Sequence, residues 1–405
     1  MVSNEFFYRL GIIFFSVFLM LFFSGFYITG FDNSSFSSIL RVFLAIGLLL
    51  LFSIISVSGV RDCFSPKEYI AENSKFLYIA LALFFFYILI MSVFFSDWSV
   101  FRRSVIVFCF LLIVGFYTFY LRFNYEFVIN CLAVFGFFLG SLYLYNYFMV
   151  SEFSLLRYRN NPVQSTGLSW LASYDNTITA ALHLSILCIA TIWSYFYSKS
   201  KTVAAFFYAS FFILLSAIVF TFARTAWVAI FSSLFVFFLY EFKTNKLKVF
   251  YLYGVLVCLG LVYIYLFYGH DVSRGLSHRD EIWIGLLNNI YDTKSWVFGM
   301  GPAASVSFVK IAGSTIAVHA HNIYVETLYR NGILGVILFL LLLFFSIRSL
   351  VAFRVNDDKT FFVAVLCGAS VSMFFDFSNL IYSPNLIWMW VWFPIAVSLF
   401  TRKFR

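Results

Sequence analysis

Twelve apolar stretches of bilayer length follow one another along the chain, and they constrain its fold more than any other feature. A spanning helix needs about 20 consecutive, mainly apolar residues. Because a lipid-facing backbone must satisfy its polar groups within the segment, these stretches predict α-helices. We place them at residues 9–29, 38–58, 76–95, 104–121, 127–149, 176–197, 202–221, 225–242, 248–268, 332–352, 360–378 and 384–401.

The composition agrees with a membrane protein. Hydrophobic residues make up 63% of the chain and charged residues only 11%, whereas soluble domains carry about 25% charged residues. The six cysteines form no CxxC pair, so neither a disulfide framework nor a thiolate metal site is indicated. We therefore predict an all-α integral membrane protein, a single polytopic domain over residues 1–405 with about twelve transmembrane helices.

The distribution of Lys and Arg predicts the orientation. With the N-terminus in the cytoplasm, 16 of the 27 basic residues fall in the termini and in the short cytoplasmic connections, as the positive-inside rule expects. The net charge of +9 thus reflects topology and contact with anionic membrane lipids. The charges are dispersed over many loops, which argues against nucleic-acid binding. Two long loops face outward, at residues 150–176 and 269–321, the second between predicted helices 9 and 10.

The second outer loop predicts an amphipathic helix. Ser277 followed by Asp280 resembles a capping box. The apolar positions that follow have helical spacing, and such a helix would lie against the membrane domain. They are Ile282, Trp283, Leu286, Leu287, Ile290 and Tyr291. Arg279 precedes Trp283 by four residues, so both are expected on the buried side.

Two arginines on the outer side are candidate anion ligands. Arg224 begins the stretch ARTAW within a connection of a few residues, and Arg279 lies in the second outer loop. Guanidinium groups offer forked donors that suit phosphate oxygens. The alternative for either residue is an ion pair, for instance with Asp376 or Asp175.

The stretch 320–335, AHNIYVETLYRNGILG, contains the residue that we most expect to carry chemistry. It is predicted as a helical start that runs without a break into the apolar segment. The imidazole of His321 can take or give a proton near neutral pH, and the amide of Asn322 can orient a hydroxyl. Alternatively, His321 only caps the helix.

Three other polar features are assigned structural roles. His319 and His321 are close in sequence, but no carboxylate or third imidazole stands at ligand spacing, so no metal site is predicted. Glu326 and Arg330 are four residues apart, a pair that supports a helix by about 0.2–0.5 kcal/mol. His183 is expected to be a hydrogen-bonded core residue.

The spacing after His321 resembles a family signature. His321, Asn322, nine residues, Gly332, two residues and Gly335 match the pattern His-(Asn/Ser/Gln)-x9-Gly-x-x-(Gly/Thr/Tyr) of bacterial O-antigen ligases. ARTAW from Ala223 and SHRDEIW from Ser277 are similar to that family's arginine motifs. The order of the motifs, the twelve spans and the outer loop before His321 agree with the same family.

The resemblance implies a reaction. An O-antigen polysaccharide on undecaprenyl pyrophosphate would move, with inversion, to the lipid A–core oligosaccharide at the periplasmic face of the bacterial inner membrane. No nucleotide, cofactor or obligatory metal is implied. His321 would be the catalytic base, and Arg224 and Arg279 would bind the pyrophosphate. Supporting roles would fall to four further residues, namely Asn322, Trp283, Gly332 and Gly335.

Other functions remain open. O-antigen polymerases and protein O-oligosaccharyltransferases share the topology, the outer-loop arginines and the lipid-pyrophosphate donor. Arg157 and Arg159 in the first outer loop would also suit a polymerase, although the complete signature at His321 favours a ligase. A non-enzymatic flippase of lipid-linked oligosaccharide is disfavoured, because it would be expected to line a central path with charge, whereas here charge gathers at one face.

Overall fold

Long apolar helices build most of the protein, as the computed structural model shows. It describes residues 2–28, 33–58, 72–150, 163–242, 245–254, 256–258, 260–261, 278–306, 310–311, 315–316, 319–352, 358–377 and 379–399. In this part of the chain, nine helices are long and apolar enough to cross a membrane. They are α1 (Val2–Tyr27), α2 (Asn33–Ser58), α3 (Glu72–Phe94), α4 (Trp98–Tyr120), α5 (Glu126–Val150), α6 (Thr177–Tyr197), α7 (Lys201–Val219), α8 (Arg224–Glu241) and α11 (Ile323–Ala352). The prediction of an all-α polytopic membrane protein is confirmed.

The other three predicted spans take different forms. Predicted span 360–378 corresponds to α12 (Asp358–Ser372), and 384–401 to a π-helical turn (Trp388–Trp392) that continues as α13 (Phe393–Leu399). Both are short of the length that crosses a bilayer. Span 248–268 begins on helical residues, but much of it lies outside the described residues. The count of twelve spans therefore stays a prediction.

Helix α6 lies at the centre of the bundle. Of its most apolar stretch, 83% is buried, because α5, α7, α8 and α12 all pack against it. His183 on α6 is 4% exposed, its Nδ1 lies 2.8 Å from the Thr179 carbonyl oxygen, and its ring stacks on Tyr174. The prediction of a hydrogen-bonded core histidine is confirmed.

The loop before His321 contains two short helices and a small hairpin. The helices are α9 (Arg279–Asn288) and α10 (Thr293–Phe298), and strands β1 (Lys310–Ile311) and β2 (Thr315–Ile316) pair antiparallel. Helix α9 buries the predicted face, with Ile282 and Leu286 buried and Ile290 buried just past its end, but Ile284 on the opposite face is 59% exposed. The prediction that Tyr291 lies on the apolar face is wrong. Tyr291 follows the end of α9 at Asn288 and is 80% exposed.

The start of α9 differs from the predicted capping box. Ser277 lies outside the described residues. The residue at the N-cap is His278, which has a positive φ of 61° and makes no side-chain cap hydrogen bond. Its Nδ1 instead lies 2.8 Å from Glu281 Oε1 within the first turn. The first turn of α9 is thus held by a side-chain pair.

Helix α11 breaks at Gly332, where an uninterrupted helix was predicted. Gly332 has φ 65° and ψ −176°, a conformation that favours glycine. The break frees the carbonyl groups of residues 329–331, which find other donors. Met300 N donates to Tyr329 O at 2.8 Å, Gly301 N to Arg330 O at 3.0 Å, and Tyr87 Oη to Asn331 O at 2.6 Å.

Each of the two glycines in the family signature meets a different structural requirement. A Cβ at Gly332 would overlap the Val297 carbonyl, and a Cβ at Gly299 would overlap the Arg330 carbonyl. The α10 turn and the helix break therefore approach each other backbone to backbone. Gly335 lies one turn later, where a Cβ would overlap the Asn331 Cβ on the other side of the break and reach only ordinary contact with the Tyr87 ring. Gly332 therefore fixes how α10 and α11 meet, and Gly335 leaves room for the break within α11.

We expect Gly332→Ala to destabilise the protein by about 1–3 kcal/mol or more, because a side chain at this φ is strained and the added Cβ overlaps the α10 backbone. The apparent melting temperature of the detergent-solubilised protein should fall. Gly254→Ala is the matched control, since a Cβ there meets nothing within 4 Å. Equal melting temperatures for the two variants would contradict this account of the break.

Candidate functional site

His321 is held in a strained backbone conformation just before α11. Its φ is 50°, a left-handed value that is uncommon outside glycine and clusters at functional sites. Asn322 provides the helix cap, since its Oδ1 accepts hydrogen bonds from Tyr324 N at 3.0 Å and Val325 N at 3.1 Å. Capping is therefore done by Asn322, whose side chain is buried, and the imidazole of His321 is left for another role.

Asp376, which lies 55 residues further along the sequence, contacts His321. His321 Nδ1 lies 3.3 Å from Asp376 Oδ1, and the two side chains are 33% and 12% exposed. Asp376 Oδ1 also accepts a hydrogen bond from Phe377 N at 2.8 Å, which fixes the carboxylate. When Nδ1–H donates to Asp376, Nε2 is the unprotonated nitrogen of the neutral ring. A carboxylate that orients an imidazole in this way supports a general base.

His319 completes a cluster that the sequence did not predict. The rings of His319 and His321 lie 3.9 Å apart, edge to face. Burial, and then the neighbouring His321, lower the pKa of His319 from its ordinary value of 6.5. One ligand atom each from His319, His321 and Asp376 lies within 4.8 Å of the others. The expectation that no carboxylate stands beside the two histidines is wrong, since a segment distant in sequence supplies one.

The donor atoms of these three side chains resemble those of known metal sites. Two imidazoles and one carboxylate form a donor set that Zn²⁺ accepts. The same contacts equally describe a base, its orienting carboxylate and a neutral neighbour. Nothing else among the described residues adds a fourth protein ligand to the cluster.

Arg224 is placed near the level of His321 by the packing of α8 on α12. These helices run antiparallel, with Ser233 Oγ donating to Ala364 O at 2.8 Å and the Gly368 α-carbon facing the Ala229 carbonyl. The same register carries Arg224, the first residue of α8, to the level of Met373. The carbonyl of Met373 accepts from Ile323 N at 3.0 Å, two residues after His321.

Arg279 belongs to a helix that docks beside His321. Trp283 Nε1 donates to Ala320 O at 2.9 Å, so the second turn of α9 is fixed against the residue that precedes His321. Arg279 and Trp283 are both half-buried, in agreement with a shared face. Trp283 therefore fixes α9 against this segment, and Arg279 lies at the first turn of the docked helix.

A buried ion pair connects this segment to the α10 turn. Glu326 and Arg330 are 1% and 13% exposed, with 3.0 Å between Oε1 and Nη2. Glu326 Oε2 also accepts from Ala320 N at 3.0 Å, and Arg330 Nη1 donates to Pro302 O at 3.0 Å. The pair was predicted as a helix-supporting contact worth about 0.2–0.5 kcal/mol. Because it is buried, loss of one partner costs about 3–5 kcal/mol.

Part of the chain is similar to a known protein family. Residues 209–340 match a protein-family model described as O-antigen ligase. No curated protein matches the chain. The matched segment contains Arg224, Arg279 and His321, whereas Asp376 lies beyond its end.

Proposed function

The chain carries the O-antigen ligase family domain, and from that premise we propose that it transfers an O-antigen polysaccharide from undecaprenyl pyrophosphate to a sugar hydroxyl of the lipid A–core oligosaccharide. The reaction takes place at the periplasmic face of the bacterial inner membrane. The observation that carries the proposal is the contact between His321 and Asp376. It supplies an oriented base at the start of a long apolar helix, where lipid-tethered substrates meet water.

His321 and Asp376 have different roles in activating the acceptor hydroxyl. The Nε2 atom of His321 removes the proton from the acceptor hydroxyl as its oxygen attacks the anomeric carbon of the donor. Asp376, on Nδ1, holds the tautomer and stabilises the imidazolium that forms. Neutral His319 adds no second charge beside that imidazolium. Direct attack at the anomeric carbon inverts its configuration.

Arg224 and Arg279 act on the leaving group. As the bond between sugar and pyrophosphate breaks, negative charge grows on the pyrophosphate oxygens, and fixed cations stabilise it in that transition state. Guanidinium forks bind such oxygens in a defined geometry. With a charged leaving group held by arginines and a proton accepted by His321, the proposed chemical step uses no metal.

The direct test is a transfer assay with the purified protein, lipid-linked O-antigen and rough lipopolysaccharide. A ladder of products on lipid A–core, formed equally with and without a chelator, is the expected result. Lengthening of the lipid-linked chain would instead identify an O-antigen polymerase, and modification of a protein acceptor would identify an O-oligosaccharyltransferase. Movement of donor across the bilayer without a new glycosidic bond would identify a flippase. The anomeric configuration of the product, read by NMR, tests inversion.

The proposed site requires the loop at residues 269–321 to be periplasmic. A reporter that is active only outside the cytoplasm should therefore be active when fused within that loop and silent when fused at Lys246. The asymmetry of Lys and Arg is the physical reason for this orientation. The opposite result at either position would place the His321 cluster on the wrong face for lipid A–core.

A further inference from the structure

A second cluster of arginines surrounds a cavity away from α8 and α9. The cavity has a volume of about 60 Å³, several times the roughly 10–15 Å³ that one water molecule needs. Arg41 of α2 and Arg102 and Arg103 of α4 line it, together with Tyr382 and Ser383 from the connection before the π-helical turn. Helices α2 and α4 both begin at this end of the bundle, so the guanidiniums converge from two spans.

The positive charge of this pocket is not balanced by the part of the protein that the structure describes. No described lining residue is acidic, and no described carboxylate forms a salt bridge with these arginines. Among the described residues, Arg41 donates within its own helix, from Nε to Ser37 O at 3.0 Å and from Nη2 to Ser38 Oγ at 3.1 Å. Arg103 lies over the Tyr382 ring at 4.5 Å, a cation–π contact that fixes its direction.

The chemistry of three converging guanidiniums favours one kind of ligand. Three like charges around one cavity repel one another unless an anion offsets them, and forked N–H donors match the oxygens of a phosphoryl group. Exposed apolar side chains flank the arginines on the same two helices, with Val42 58% and Val105 40% exposed. An acyl chain can lie on that surface while its headgroup enters the pocket.

We infer that Arg41, Arg102 and Arg103 bind a phosphoryl group carried by a membrane-anchored lipid, at a site separate from the donor-binding arginines. The inference stands on this pocket alone and does not require the proposed transfer reaction. Arg224 and Arg279 belong to α8 and α9, and neither lines the cavity.

The pocket and the His321 cluster share one connection. Asp376 at its beginning contacts His321, and Tyr382, six residues later, packs under Arg103. Two indole N–H groups fix the backbone between them, since Trp392 Nε1 donates to Leu380 O at 3.2 Å and Trp388 Nε1 donates to Tyr382 O at 3.2 Å. A phosphoryl group in the pocket is therefore held at the same end of the bundle as the proposed base.

The test measures lipid binding to the purified protein in neutral detergent by native mass spectrometry and thermal stabilisation. The probes are short-chain phosphatidic acid, which is a lipid phosphomonoester, short-chain phosphatidylcholine and inorganic phosphate. Wild type should bind phosphatidic acid in preference to phosphatidylcholine. Arg102→Gln/Arg103→Gln should weaken that binding at least tenfold. Arg122→Gln is the matched control, because Arg122 is exposed and lies beyond the other end of α4, and it should behave as wild type.

The outcomes separate the sources of the phosphoryl group. Competition by inorganic phosphate would show that the pocket recognises the headgroup alone, and its absence would show that the acyl chain contributes. Equal binding of phosphatidic acid by wild type and the double variant, or no preference over phosphatidylcholine, would overturn the inference. The measurement is repeated with His321→Asn, whose lost transfer leaves lipid binding as an independent readout.

Transfer kinetics then identify which lipid uses the pocket. If the acceptor places a phosphoryl group there, Arg102→Gln/Arg103→Gln should raise the KM for acceptor about tenfold or more while kcat stays near wild type. If a bulk anionic phospholipid occupies the pocket, the KM for acceptor should not change and only lipid binding and thermal stability should fall.

Discussion

Replacement of His321 by Ala is expected to lower O-antigen transfer by about 10²–10⁴-fold, the contribution typical of a general base. A sugar hydroxyl is a very weak acid, so its attack depends on a positioned proton acceptor. The variant should still insert in the membrane and bind lipid-linked donor, because the arginines on α8 and α9 are unchanged. Transfer is measured at matched expression, with donor binding measured separately.

His321→Asn separates catalysis from capping. Asn is a good helix-capping residue, and the cap of α11 is in any case made by Asn322. If His321 had only a local structural role, the Asn variant would transfer at a rate close to wild type. We expect a loss as large as that of the Ala variant, and a near-normal rate would rule out His321 as the base.

The same role predicts a loss of wild-type transfer at acid pH, because a protonated imidazole cannot accept the hydroxyl proton. His319 should not be the origin of this loss. Its lowered pKa means that it takes up a proton at lower pH than an ordinary histidine. His319→Gln should therefore keep an acid-side decline in transfer, measured as kcat against pH.

Local sequence patterns were sufficient for much of the fold and for the main candidate residues. Apolar segment length predicted the helices, and the titratable His321 next to a long apolar stretch identified the candidate base. Spacing also predicted the buried face of α9, since Ile282 and Leu286 repeat with a helical period. These features are encoded within a few turns of one helix, which is the range that periodicity can report.

Contacts between distant segments could not be predicted. Asp376 is 55 residues from His321, and only the packing of α12 beside α11 brings the two together. The break at Gly332 likewise depends on the turn after α10, whose amide groups donate hydrogen bonds to the freed carbonyls. The only signal in the sequence was the glycine itself. The spacing of Glu326 and Arg330 predicted their pairing correctly. Because the pair is buried against the Pro302 turn, loss of one partner costs more than the spacing indicated.

Arg224→Lys is expected to lower transfer by about 10²-fold or more while the protein inserts and folds normally. Removal of one well-placed donor to a developing anion typically costs this much. Lys keeps the charge but not the planar fork that binds two phosphate oxygens at once. Arg224 begins α8 at the level of Met373, just beyond the C-terminal end of α12, and Asp376 follows three residues later. The substitution therefore changes the geometry at the proposed leaving group without moving the base.

The control for this variant is Arg122→Lys, an exposed position at which the same change should leave transfer and melting temperature unaltered. Arg279→Ala should also abolish transfer, with the docking of α9 kept by the hydrogen bond from Trp283 to Ala320. Near-full transfer by Arg224→Lys would mean that a point charge suffices, as in a structural ion pair. A loss in kcat at unchanged donor KM would instead show that the fork acts in the transition state, because an interaction made equally with bound donor would appear in KM.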